Sequence, residues 1–157
     1  MRRIASIALG LFTWASVAAC AHHMDQSQAS AATWNLHVAG SQAKLAYGMP
    51  NSDLVGLMMT CERGSQAVVV SGDVSAKRPM LVLASGGQKL ELNGAAEPDP
   101  YTGGLWLEAE APVGEPALKR FARTGDLKLK RPLGGLDMGA SDNARGDIRR
   151  FFAHCEA

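Results

Sequence analysis

From Trp34 onward, apolar and polar residues alternate in short runs that are separated by turn-forming residues. Trp34, Leu36 and Val38 fall on one face of the first run, and similar runs recur at intervals of about eight residues. The Ser-Gly-Gly sequence at 85–87 predicts a tight hairpin between two of these runs, because glycine adopts positive φ without steric cost. Residues 93–104 contain two prolines and three glycines and are expected to form a loop. The pattern predicts a mainly β fold, an antiparallel β-sandwich or small barrel of about eight strands.

Two segments have helical periodicity instead. Pro116, the apolar residues that follow it at helical spacing and Gly125 beyond them indicate a short helix. The last element is more regular, since Ser141 can cap its start and one apolar stripe runs along it. The stripe contains Ala144, Ile148, Phe151, Phe152 and Cys155. We therefore expect a single β-rich domain over residues 33–157, with a short helix and a C-terminal helix.

The N-terminus has the layout of a secretion signal. Two arginines precede an apolar run over residues 4–17, which is shorter than the roughly 20 residues of a membrane-spanning helix. The Val-Ala-Ala-Cys sequence that ends at Cys20 resembles the lipobox of bacterial lipoproteins. This resemblance implies removal of residues 1–19 and a lipid on Cys20 that anchors the chain to the membrane. It also implies the periplasmic face of the outer membrane, because Ala21 stands where an aspartate would signal retention in the inner membrane.

An ordinary cleaved signal is the alternative to the lipoprotein signal. It would use the small residues Ala19 and Ala21 as its processing site and would leave no lipid. In either case residues 20–32 are expected to form a flexible tether, since they are rich in Ser, Gln, Ala and His and have no apolar periodicity. His22, His23 and Met24 are ligand types that copper or nickel accept, but we interpret them as part of this solvated tether. The sequence predicts no metal and no cofactor.

The two remaining cysteines are expected to form a disulfide. With Cys20 committed to the lipid their number is even, and the periplasm is oxidising. Cys61 ends a predicted core strand, and Cys155 lies on the apolar stripe of the last helix, which must pack on that sheet. The absence of a CxxC motif favours a structural role over a redox role.

Charge is distributed unevenly along the chain. Residues 21–118 carry 5 basic and 10 acidic side chains, whereas residues 119–157 carry 9 basic and 5 acidic ones. Lys119, Arg120 and Arg123 are therefore a candidate face toward anionic lipid, lipopolysaccharide or another anionic envelope polymer, or an acidic envelope protein. The alternative is that the two parts attract each other within the fold. Because the net charge of residues 21–157 is only −1, we expect no nucleic-acid partner.

Candidate catalytic and ligand-binding residues are few. A serine hydrolase would need a Ser-His pair, but the chain has no Gly-x-Ser-x-Gly motif, and His37, His154 and Ser71 have no partner in the pattern. We therefore predict no enzyme and no catalytic residue. Glu97 and Asp99 could offer oxygen ligands to calcium, but an exposed acidic turn is favoured because no EF-hand spacing accompanies them.

An aromatic platform for a sugar or peptide is a further candidate site. Trp106 falls on the strand face opposite Leu105 and Leu107, and Tyr101 lies shortly before it in the chain. The alternative is that Trp106 only covers one face of a sheet.

These observations favour a lipid-anchored cell-envelope protein with a non-catalytic binding or structural β-domain. One alternative is a lysozyme-inhibitor-like lipoprotein. The chain resembles that family in being small, β-rich, lipidated and closed by a disulfide, and Ser85-Gly86 resembles the start of its Ser-Gly-x-x-Tyr loop motif. Lys89 stands where that motif has its tyrosine. A small periplasmic hydrolase is the second alternative.

Overall fold

The computed structural model describes residues 31–75, 77–99, 103–131 and 134–157. Within these residues the chain forms ten strands and two helices. The strands are β1 (Thr33–Ala39), β2 (Gln42–Gly48), β3 (Val55–Glu62), β4 (Ala67–Val74), β5 (Leu81–Ser85), β6 (Gln88–Leu92), β7 (Ala95–Pro98), β8 (Leu105–Pro112), β9 (Lys128–Arg131) and β10 (Gly134–Asp137). The helices are α1 (Pro116–Thr124), between β8 and β9, and α2 (Asp142–Glu156), at the C-terminus.

The strands form two antiparallel sheets. The large sheet has the order β1-β2-β3-β4-β8-β7, and the small sheet has the order β10-β9-β5-β6. Neither sheet closes on itself, so the fold is the predicted two-sheet β architecture and not a barrel. The sequence therefore predicted the fold class correctly, but the described residues form ten strands where about eight were expected.

Strand β7 lies inside the segment that was predicted to be a loop. Ala95–Pro98 pairs with β8, with Pro98 opposite Leu105. Strand β7 is at the edge of the large sheet and pairs with one neighbour only. Pro98, which has no N–H to donate, therefore interrupts no hydrogen bonds to a strand on the other side. Because this short edge strand is mostly exposed, it lacks the apolar alternation by which strands are recognised in a sequence.

One face of the large sheet forms the core. Leu45, Met59 and Val70 lie side by side on β2, β3 and β4, and all three are fully buried. Helix α2 packs across β1, β2 and β3, while α1 packs against β5, β6 and α2. At the end of the predicted apolar face of β1, Val38 is 47% exposed, so burial does not continue to the tip of this edge strand.

The predicted turn and helix ends are confirmed. Gly86 and Gly87 form the two-residue turn between β5 and β6, and both have positive φ, 51° and 85°. Gly125 ends α1 in the left-handed conformation, and its N–H donates to the carbonyl of Phe121 at 2.8 Å. The Ser141 hydroxyl accepts the N–H of Ala144 at 3.4 Å and caps α2.

Candidate functional site

The predicted cysteine pair lies together where the last helix meets the large sheet. The Cα atoms of Cys61 and Cys155 are 5.7 Å apart, and the two side chains have the geometry of a disulfide. The N–H of Gln66 donates to the carbonyl of Cys155 at 3.0 Å, and its side-chain amide donates to the carbonyl of Glu156 at 2.9 Å. Covalent and hydrogen-bonded contacts thus fasten the C-terminal end of α2 to the turn between β3 and β4.

The residues weighed for hydrolase chemistry occupy separate environments. Ser71 is buried on β4 and donates to the carboxylate of Glu108 at 3.2 Å. His154 is only 8% exposed, and its Nε2 donates to the carbonyl of Ser41 at 2.7 Å. His37 is exposed on β1, opposite Lys44 of β2. The contacts of Ser71 and His154 therefore fit structural roles.

Lys119, Arg120 and Arg123, the candidate face toward an anionic partner, do not share one surface in the structure. Lys119 and Arg123 line a depression of about 300 Å³ between α1 and α2. Arg120 turns away from it, and its guanidinium lies against Gly86 of the hairpin. This division follows from helix geometry. Lys119 and Arg123 are four positions apart and share a face of α1, whereas Arg120 is rotated by about 100° from Lys119.

A third cation, Arg149 of α2, joins Lys119 and Arg123 at this depression, which we call the helix-pair basic surface (Lys119, Arg123 and Arg149). Arg149 was not among the cations that the sequence singled out, because no local signal relates α2 to α1. Among the residues that the structure describes, none of the three forms an ion pair, although Glu156 lies in the same depression.

The other arginines of α2 contrast with Arg149. Arg145 pairs with Asp142 at 3.0 Å, and Arg150 pairs with Asp147, each one helical turn away. Exposed pairs of this kind add little stability, about 0–1 kcal/mol, but they neutralise the charge locally. The remaining positive charge of α2 is therefore concentrated at Arg149, on the side of the helix that faces α1.

The candidate aromatic platform lies on the opposite side of the large sheet from the core. Trp106 is half-buried on β8, between Asp73 of β4 and Glu97 of β7. Tyr101, its expected partner, lies outside the described residues. Since Glu108 also belongs to this face, the surroundings of Trp106 are acidic.

Strand β7 changes the setting of Glu97 and Asp99, the two residues considered as calcium ligands. Glu97 lies on this strand and not in a loop, whereas Asp99 follows it, and the backbone carbonyl of Asp99 accepts the N–H of Gly103 at 2.9 Å. In the described part of the chain no three His, Cys, Asp or Glu side chains are grouped closely enough to hold a metal ion.

The predicted signal, Cys20 and the His22-His23-Met24 sequence fall within residues 1–30, outside the described residues. Neither of the two described helices has the length and apolar character needed to cross a membrane. No protein family matches this chain, and no match was found among curated proteins or among solved structures.

Proposed function

We propose that this protein is a lipid-anchored, non-catalytic component of the cell envelope whose domain contacts phosphate-bearing anionic lipid through the helix-pair basic surface. The observation that carries the proposal is the meeting of Lys119, Arg123 and Arg149 from two helices at one depression, without an ion pair among the described residues. Like charges that converge on a surface repel one another, and an anionic partner relieves that repulsion.

The proposed anchor supports this contact because it raises the local concentration of the domain at the membrane surface. The sequence predicts a tether over residues 20–32, and a flexible chain of 13 residues would reach about 20 Å from its attachment point. A lipid on Cys20 would therefore hold the basic surface close to the membrane, where even weak contacts are populated. Several acyl chains on one cysteine provide durable attachment, since each buried methylene contributes about 0.8 kcal/mol.

The basic surface is tested separately from the anchor by using full-length Cys20→Ser protein and vesicles that contain phosphatidylglycerol. The double variant Lys119→Gln/Arg123→Gln should bind more weakly than its Cys20→Ser parent, and Arg149→Gln should weaken binding in the same direction. Binding by the parent should decline as the salt concentration rises through about 0.15 M, where the screening length is about 8 Å. The same measurement with lipopolysaccharide in place of the vesicles shows whether phospholipid or lipopolysaccharide is the preferred source of the phosphate groups.

The matched control is Lys44→Gln/Arg63→Gln, which also removes one lysine and one arginine, at exposed positions on β2 and in the turn after β3. It should bind as the parent does. Arg120→Gln should have a smaller effect than Arg123→Gln, because Arg120 lies against the hairpin. Equal weakening by the two double variants, or binding that ignores salt, would contradict the proposal.

The anchor itself is tested in the wild-type background with labelled fatty acid. Cys20→Ser should lose the label and, at a salt concentration that screens the basic surface, leave the membrane fraction. Cys61→Ser is the matched cysteine control and should keep the label, because Cys61 has its partner in Cys155. A wild-type protein without label, recovered in the soluble periplasmic fraction, would refute the lipoprotein assignment.

A further inference from the structure

A large open cleft lies where the end of the large sheet meets the small sheet. Its volume is about 820 Å³, and it is bounded by the end of β4, by β5, β6 and β9, and by Gly103 and Gly104 before β8. We call it the sheet-junction cleft. It shares no lining residue with the helix-pair basic surface, so the two can be tested independently.

The floor of the sheet-junction cleft is apolar. We use this name for the apolar residues of the lining, which are Val74, Met80, Leu81, Val82 and Leu129. Val74, Leu81 and Leu129 are buried, whereas Met80 and Val82 are half-buried and add apolar surface to the open cleft. Because exposed apolar surface inside a concavity is a common feature of ligand sites, this floor favours a ligand with a hydrocarbon part.

The rim of the cleft is positively charged. It carries four cations, Arg78, Lys89, Lys130 and Arg131, against two acids, Asp73 and Glu91. The carboxylate of Glu91 forms an ion pair with Lys89, which lowers the pKa of Glu91.

Arg131 is the most buried of the four cations. Burial lowers the pKa of its guanidinium, while Asp73 opposes that shift. Lys89 and Arg131 each lie next to an acid, and Glu91 also interacts with Arg78 without forming an ion pair with it, so the excess positive charge lies mainly on Arg78 and Lys130. An anionic group in the cleft would find these two cations available.

We propose that the sheet-junction cleft binds a single-chain amphiphile, with its acyl chain on the apolar floor and its anionic phosphate headgroup against Arg78 and Lys130. The volume lies within the range of about 300–1,000 Å³ that is usual for small-molecule sites, so the ligand is one small molecule rather than a polymer.

The proposal is tested by calorimetric titration of the full-length Cys20→Ser protein with palmitoyl lysophosphatidylglycerol below its micelle concentration. Palmitoyl lysophosphatidylcholine is the matched ligand, because it has the same chain and a zwitterionic headgroup. The anionic ligand should bind more tightly. Arg78→Gln/Lys130→Gln should weaken its binding about tenfold or more, as expected for the loss of charge-assisted hydrogen bonds.

A second variant tests the floor of the cleft. Val82→Asn places an amide on the half-buried floor position and should weaken both ligands, whereas the loss of the two rim cations should weaken mainly the anionic one. The matched control is Lys44→Gln/Arg63→Gln, which removes one lysine and one arginine outside both the cleft and the helix-pair basic surface and should leave the titration unchanged. A thermal unfolding curve verifies that each variant is folded.

Three results would overturn the proposal: no binding of lysophosphatidylglycerol by the Cys20→Ser protein, equal affinity for the two ligands, or equal weakening by the rim variant and its control. These results leave the proposed function standing, since that proposal rests on vesicle binding through the helix-pair basic surface. Conversely, loss of vesicle binding with an intact titration would contradict only the proposed function.

Discussion

At the scale of single residues, Trp34 connects distant parts of the chain. Its indole N–H donates to the carbonyl of Met138 at 2.7 Å, across 104 positions of sequence. Its ring also packs against Phe121 of α1, with a centroid distance of 4.9 Å, and against Tyr47 of β2, at 5.3 Å. One side chain thereby holds an edge strand, a neighbouring strand, α1 and the segment before α2 together.

We expect Trp34→Phe to lower the free energy of unfolding by about 1–3 kcal/mol, because it leaves the buried carbonyl of Met138 without its donor. Loss of ring volume adds to that cost. Urea denaturation measures the change. Trp106→Phe is the matched control, since Trp106 is only half-buried and should cost less. A Trp106 variant that is as destabilised as the Trp34 variant would contradict this assignment.

Tyr47 should make the protein sensitive to alkaline pH. Burial, and secondly the charge of Asp137, raise the pKa of its phenol above the ordinary value of about 10. A pKa that is raised in the folded state gives stability that is fully present below the unfolded pKa and is lost as pH rises through the folded one. Unfolding curves above pH 10 should therefore show a steeper loss of stability for the wild type than for Tyr47→Phe. Parallel curves for the two proteins would refute the prediction.

At the scale of elements, the two helices were more predictable than the strands. Proline at the start, glycine at the end and a serine cap are local signals, and the structure uses each of them. Strand β7 had no such signal, because it becomes a strand only by pairing with β8. The difference is physical: a helix forms its hydrogen bonds within one segment, whereas an edge strand obtains them from another part of the chain.

Two glycine-to-alanine variants should change stability in opposite directions. Gly125→Ala should destabilise by about 1 kcal/mol or more, because φ is 74° there and a Cβ would lie 2.8 Å from the Cβ of Ala140. Gly146→Ala should stabilise by about 0.5–1 kcal/mol, since it lies inside α2 with open space where a Cβ would stand. Thermal unfolding of both variants measures the pair, and a shift in the same direction would contradict the assigned helix end.

At the scale of the whole molecule, the link between Cys61 and Cys155 closes a loop of 94 residues. The chain-entropy model gives a disulfide in a loop of that length roughly 4 to 5 kcal/mol, an amount comparable to the net stability of a small domain. We expect the Cys61→Ser/Cys155→Ser variant to unfold at markedly lower denaturant concentration. Thiol labelling of denatured, unreduced wild-type protein should detect neither cysteine, and two reactive thiols from this pair would refute the bond.

The charge asymmetry of the sequence does not persist as an asymmetry in space. Lys130 and Arg131 from the basic late segment meet Arg78, Asp73 and Glu91 from the acidic early segment at the sheet-junction cleft. Lys128, also from the late segment, pairs with Asp137 at 2.9 Å across β9 and β10. Attraction between the two parts is therefore present at Arg131, which interacts with Asp73 of the early segment, whereas the face toward an anionic partner stays a prediction.

The sequence by itself determined the features that depend on local pattern: the alternation of the β-strands, the hairpin at Gly86 and the ends of both helices. It also determined the pairing of the last two cysteines, because only these two remain once Cys20 is assigned to the lipid. Only the tertiary structure decided which side chains meet. It separated Arg120 from Lys119 and Arg123, brought Arg149 to them, buried His154 against Ser41 and formed the sheet-junction cleft from strands far apart in the chain. The reason is that periodicity fixes the face of an element on which a residue lies, whereas the neighbour of that face is fixed by packing between elements distant in sequence.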